Sequence, residues 1–155
     1  MSRGNGDEPT ASRGTDRAIA VAVEYTDPFR HRLWARWSDY DALGHVNASR
    51  YLTFLEEARD AWLGETLGLG GADYVVASMQ IDFRQPIPLQ ERDILVELRP
   101  LRAGRTSITI DEVVLGVDGT VMASAQATLV LWDPEAGAAK PLSPHDRVRM
   151  GLPEA

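Results

Sequence analysis

Between residues 48 and 63 the apolar side chains recur at helical intervals. Tyr51, Phe54, Leu55, Ala58, Ala61 and Trp62 follow one another at steps of three, one, three, three and one, which lays them along a single stripe. The positions between them, Arg50, Thr53, Glu56, Glu57, Arg59 and Asp60, are polar and suit a flanking or solvated face, with Glu56 and Arg59 close enough to pair weakly. Asn47 or Ser49 is the expected N-cap, because a short side-chain oxygen accepts a free first-turn N–H. Gly64 is the expected stop.

From Tyr74 onward the period drops to two. Ala77, Met79, Ile81 and Phe83 alternate with Ser78, Gln80, Asp82 and Arg84, which predicts a strand with one buried face, ended by Pro86 and Pro88. Ile94 to Leu101 reads as the next strand, and the turn Arg102 to Arg105 leads into another, Thr106 to Leu115. Asp118-Gly119 is a strong hairpin turn before Val121 to Trp132, whose Ala123, Ala125 and Ala127 are small enough to admit a helix close to the sheet. Ahead of the helix, Phe29 to Trp37 reads as a first strand, with Leu33, Ala35 and Trp37 on one side and Arg32, Trp34 and Arg36 on the other.

Strand, long helix, then four strands on short connections predicts an α+β domain, one antiparallel five-stranded sheet with a single helix against it. The short apolar run Ala18 to Val23 either adds a sixth strand or lies against the body, and it is too short for a signal-peptide core or a membrane span. Residues 1–26 are otherwise expected to be mostly disordered, because the first seventeen carry no large apolar side chain after Met1. The folded domain is expected over 27–135, and the Pro- and Gly-containing tail, 136–155, is expected to be largely irregular.

Composition narrows the functional classes. A chain of 155 residues, 44% hydrophobic and 25% charged, suits one soluble domain. Its net charge of −7 argues against nucleic-acid binding, which draws its strength from Lys and Arg on phosphates, and against an anionic membrane surface. The absence of Cys removes disulfides, thiolate nucleophiles and Cys-ligated metals, and fits a cytoplasmic location.

Polar chemistry is densest just before the helix, where Asp39, Asp41, His45 and Asn47 crowd together. A carboxylate there can attack a carbonyl or activate water, and the free N–H groups of the helix start can hold the oxygen that becomes negative. One such donor is typically worth about 10²–10³ in rate. Each residue also has a structural reading. Carboxylates near a helix start gain roughly 0.3–1 kcal/mol from its dipole without any activity; Asp39 reads mainly as a loop or capping residue. His45 either tunes the carboxylate or holds loop backbone, and Asn47 reads as a cap. Asp41 and His45 lack a nearby third ligand, so no metal is expected. Arg102 and Arg105 flank a hairpin and suit either phosphate contacts or plain solvation.

With the order of elements, Trp37-Ser-Asp-Tyr-Asp41-Ala-Leu-Gly44-His45-Val-Asn47-Ala48-Ser-Arg-Tyr51 resembles the hotdog-fold acyl-CoA thioesterases of the 4-hydroxybenzoyl-CoA thioesterase family. More narrowly, it is similar to the bacterial branch with Asp-x-Asp-x-x-Gly-His-Val-Asn followed by a helix Tyr. The likeness covers roughly residues 29–132. It implies a sheet wrapped around the central helix, and a homodimer or homotetramer in which second strands pair and active sites lie between subunits. The implied reaction is hydrolysis of an acyl-CoA to free acid and coenzyme A, with no cofactor because coenzyme A is part of the substrate.

In that scheme Asp41 is the catalytic carboxylate, as nucleophile or general base, and the Ala48 backbone N–H helps hold the thioester oxygen. Gly44, His45 and Asn47 support them, while Trp37, Tyr51, Arg102 and Arg105 contact substrate. The alternatives are a thioesterase acting on acyl-carrier protein and a non-catalytic hotdog that binds acyl ligands. One departure stands out: many relatives carry Asn, and some His or Tyr, where this chain has Ala48, so only the backbone N–H remains there. A different hotdog branch uses a helix Glu, but with Asp41 present Glu56 and Glu57 suit a solvated or interface role.

Overall fold

In the computed structural model residues 27–153 are described, so the expectations for residues 1–26, including the run Ala18 to Val23, lie outside the described residues. The long helix α1 spans Ala48–Leu67, and Asn47 caps it by accepting a hydrogen bond from the Ser49 N–H. It passes through Gly64 and stops at Gly68, whose φ of 69° is left-handed and whose N–H reaches back to the Gly64 carbonyl. Glycine inside a helix costs about 1 kcal/mol relative to Ala. Leu67 and Leu69 beyond it pack on the cluster containing Trp62 and Leu63, and that burial carries the helix through.

Five main strands form one antiparallel sheet: β1 (Phe29–Trp34), β2 (Tyr74–Phe83), β3 (Asp93–Ala103), β4 (Ser107–Leu115) and β5 (Val121–Asp133). Their spatial order is β1-β3-β4-β5-β2, and a two-residue β6 (Ala138–Ala139) pairs with β5. The sixth strand therefore comes from the C-terminal side among the described residues. The sheet packs around α1, the arrangement the resemblance implies. Ala123 and Ala125 share one buried apolar cluster with Tyr51, Phe54, Leu55 and Ala58, and Ala127 shares a second with Trp62 and Leu63, while the helix comes closest to β1 and β3 rather than to the small residues of β5.

Besides the helix stop, four expectations are corrected. The first strand ends at Trp34, and Trp37 opens a short 3₁₀ turn, Trp37–Asp39, where its ring is 76% exposed instead of sharing the inner face with Leu33 and Ala35. On β2, Ala77 and Phe83 are exposed and Met79 and Ile81 only half-buried, because the strand lies at the edge of the sheet with β5 as its one neighbour. The tail carries a helix, α2 (Pro144–Arg149), capped by Ser143 and Asp146. Arg147 on α2 donates to the carbonyls of Ala103 and Gly104, tying the tail to the β3–β4 turn.

The fourth concerns Arg59, which is 3% exposed rather than on the polar face. Its Nε and Nη2 donate to the two carboxylate oxygens of Glu112 at 2.8 and 2.7 Å, a fork-to-fork pair from helix to β4. Burial raises the Glu112 carboxyl above the ordinary carboxylate range, and the hydrogen bonds and charge of Arg59 oppose that rise. Removing one partner of such a pair is far worse than removing both. Glu112→Ala should therefore cost about 3–5 kcal/mol in urea unfolding, whereas the apolar pair Arg59→Met with Glu112→Leu should unfold within about 1 kcal/mol of wild type or above it.

Candidate active site

The approach to α1 is a tight loop closed on itself. Tyr40 and Val46 face each other in an isolated bridge, the Asp41 N–H donates to the His45 carbonyl at 2.9 Å, and the Gly44 N–H donates to the Asp41 carbonyl at 3.0 Å. Gly44 has a φ of 72°, which a side chain would strain, so the turn needs glycine at this point. A second segment zips against the first: Val46 N–H donates to the Ile87 carbonyl, Leu89 N–H to the Gly44 carbonyl, and His45 bridges Pro88.

Within this loop the Asp41 carboxylate is oriented at both oxygens. Oδ1 accepts the Leu43 N–H at 2.9 Å, and Oδ2 faces the Asn47 side-chain amide at 3.4 Å. Asn47 is engaged at its other end as well, since its Oδ1 accepts from the Ser49 N–H at 3.0 Å and the Ser49 hydroxyl at 2.8 Å. The Arg50 N–H is taken by the Asn47 carbonyl. Capping thus consumes the Ser49 and Arg50 amides, while the Ala48 N–H, first in the helix, has no intrahelical acceptor.

Asp41 and Ala48 line one cleft of about 320 Å³, together with His45, Tyr51, Phe83 and Arg84. Tyr51 meets Phe83 edge-to-face with ring centroids 5.1 Å apart. Burial lifts the Tyr51 hydroxyl above the ordinary phenol range, against the smaller opposing effect of the Ile87 backbone, so it stays protonated at neutral pH. Asp39 has a different duty. It is buried, its Oδ2 accepts the Arg36 N–H at 2.7 Å, its Oδ1 lies 3.7 Å from Arg50 Nε, and its carbonyl accepts the Asn47 N–H.

Asp41, His45, Ala48 and Tyr51 come together at the cleft, with Gly44 and Asn47 shaping the approach. Trp37, Arg102 and Arg105 do not join them. Trp37 projects from the 3₁₀ turn outside the cleft. The arginines lie at or beyond the Ala103 end of β3, while Asp93 at its other end pairs with Trp34 just before the Asp41 loop. A strand of that length spans roughly 33 Å, so one protomer does not bring them to its own Asp41. Sequence reasoning missed Phe83, Arg84, Gln85 and Pro86, which line the opposite wall. Their signal was present in Pro86 and Pro88, which mark not merely a strand end but a loop free to dock elsewhere. Among the described residues no cluster of three His, Asp or Glu side chains is placed to hold a metal ion.

The model of the thioesterase-like superfamily matches residues 35–149. Over 101 residues the chain is 34% identical to the long-chain acyl-CoA thioesterase FadM of Escherichia coli (strain K12), covering 60% of this chain and 74% of that protein. A solved thioesterase of Thermus thermophilus, complexed with coenzyme A and Zn, is 31% identical with a TM-score of 0.71 over 80% of this chain and 92% of its own. A thioesterase-superfamily structure from Jannaschia sp. CCS1, 23% identical with a TM-score of 0.71 over 81% of this chain and 94% of its own, bears on the fold alone.

Two substitutions separate the supporting groups. Asn47→Ala removes the cap and should lower stability by about 1 kcal/mol in urea unfolding. Asp39→Ala removes the acceptor of the part-buried Arg36 N–H and should cost about 1 kcal/mol by the same measurement; wild-type stability in both would show that the loop does not depend on them.

Proposed function

The chain belongs to the thioesterase-like superfamily and is a thioester hydrolase, and from that premise we propose that it hydrolyses acyl-CoA to a free acid and coenzyme A at the Asp41 cleft. The observation that carries this reading is the meeting of Asp41 and the uncommitted Ala48 N–H on one cleft wall. The thioester carbonyl oxygen binds at the Ala48 amide, where the positive end of α1 favours the negative charge that develops during attack. Asp41 Oδ2, held only by a long contact to Asn47, is the reacting oxygen, either attacking the carbonyl carbon itself or drawing a proton from the water that does. Tyr51 and Phe83 supply the apolar wall beside the acyl group, and Arg84 is a cation at the same cleft for the phosphates of coenzyme A. The reaction so written uses the chain's own groups and the substrate's coenzyme A, with no further cofactor.

A second copy completes the site in this proposal. β2 is an edge strand whose outer side has no partner among the described residues, and it exposes Val75, Val76 and Phe83. Two-fold pairing of β2 with β2 of another copy would bury them and turn the partner's turn between β3 and β4, with its Arg102 and Arg105, to the side that carries Asp41. Among the described residues no helix is long and apolar enough to cross a membrane.

Thiol release from acyl-CoAs of several lengths tests the chemistry. Asp41→Asn should stay folded and lose at least about a hundredfold in kcat/KM; equal activity of this variant and wild type would reject Asp41. Light scattering tests the pairing, with at least twice the chain mass expected and a strict monomer contradicting it.

A further inference from the structure

A second groove, of about 390 Å³, follows the catalytic cleft along the same seam between α1 and β2. Its walls are Leu52 and Glu56 from the helix and Val76 and Met79 from the strand, with Tyr74 and Arg59 at the far end. Ala48 and Tyr51 of the first cleft give way to Leu52 and Glu56 along the helix, as Phe83 gives way to Met79 and Val76 along the strand. A chain leaving the thioester carbonyl at Ala48 and running along this seam meets apolar side chains first and Arg59 after eleven residues of helix. At the helical rise that is roughly 16 Å, the reach of an extended acyl chain of about a dozen carbons.

Arg59 changes the character of that end. Nε and Nη2 are spent on Glu112, with Nη2 also 3.8 Å from Met79 Sδ, while Nη1 has no acceptor among the described residues. No buried side-chain nitrogen or oxygen among them lacks a partner, so Nη1 keeps some accessible surface, and Arg59, though nearly buried, lines the groove. Glu112 already balances the charge of Arg59, and Glu56 on the same wall adds a carboxylate. An anionic tail is therefore disfavoured, and a neutral hydrogen-bond acceptor is what the unused N–H groups lack.

We infer that this groove is the acyl-tail subsite and that Arg59 makes it selective for medium-length acyl groups carrying a neutral oxygen, such as a hydroxyl, near the far end. The inference rests on the thioesterase reading and adds the substrate class to it. A plain hydrocarbon tail of the same length would cover the Arg59 N–H groups without replacing their contact with water, whereas a terminal hydroxyl accepts from them.

The test compares kcat/KM for 12-hydroxydodecanoyl-CoA and dodecanoyl-CoA on the wild-type protein. A preference of about fivefold for the hydroxylated substrate is expected, and equal values overturn the proposal. In the variant Arg59→Met with Glu112→Leu, checked for folding by its melting curve, the preference should vanish or invert; if it folds and keeps the wild-type ratio, Arg59 is not the selecting group. Butanoyl-CoA is too short to reach Arg59 and reports the thioesterase reading separately. If wild type releases thiol from no acyl-CoA, that reading fails, and displacement of a bound fluorescent fatty acid decides the subsite: tighter binding of 12-hydroxydodecanoate than dodecanoate supports it, and equal displacement overturns it.

Discussion

A helix of twenty residues starts with amide hydrogens that its own carbonyls cannot reach, and the site is built around how those are distributed. Asn47 stands at the centre of that distribution. Its Oδ1 takes the Ser49 amide, its carbonyl takes the Arg50 amide, and its side-chain nitrogen turns toward Asp41. One residue thereby fixes the helix start and faces the carboxylate, and the Ala48 amide is left over between them. The loop that presents Asp41 is in turn closed by Gly44 in a left-handed turn and by the 87–89 segment, so the carboxylate is set by backbone rather than by a single side chain. Such pre-organisation is what electrostatic stabilisation of a developing oxyanion requires.

The rest of the fold serves to hold α1 in that place. The helix lies closest to β1 and β3, two apolar clusters grip its two halves, and the Arg59–Glu112 pair crosses from helix to sheet. A buried ion pair is a poor source of stability because both charges must be stripped of water. Here its more telling property is location, with the guanidinium forked onto Glu112 of β4 and also touching Met79 of β2, at the groove that Arg59 lines. The seam between α1 and β2 joins the Asp41 cleft to the groove beyond it, so the proposed chemistry and the proposed acyl selectivity share one helix face. The exposed edge of β2 borders both.

What the sequence made legible was local. The helical stripe from Tyr51 to Trp62 and the spans of β3, β4 and β5 depend on neighbours a few residues away, and the structure reproduces them closely. The crowd of polar residues before α1 was legible for the same reason, as was the cap at Asn47. The misplaced residues depended on distant partners. Arg59 looked solvated because Glu112 lies fifty-three positions away. Phe83 looked buried because alternation does not say whether a strand is central or at an edge. Arg102 and Arg105, read as substrate contacts, are a separate case: β3 carries them to the end of the protomer opposite Asp41, so a contact with substrate there requires a second copy. In contrast, α2 announced itself, with Ser143, Pro144 and Asp146 in the order of a capping box, and the Pro-rich surroundings hid it.

The central claim is that the carbonyl of the scissile bond sits between one carboxylate and one amide at the start of α1. A crystal structure of the Asp41→Asn protein holding an intact acyl-CoA tests it most directly. The account expects the thioester oxygen within about 3 Å of the Ala48 nitrogen, with the carbonyl carbon facing the side chain at position 41. A thioester bound away from the α1 start, with the Ala48 amide still facing water, would contradict it.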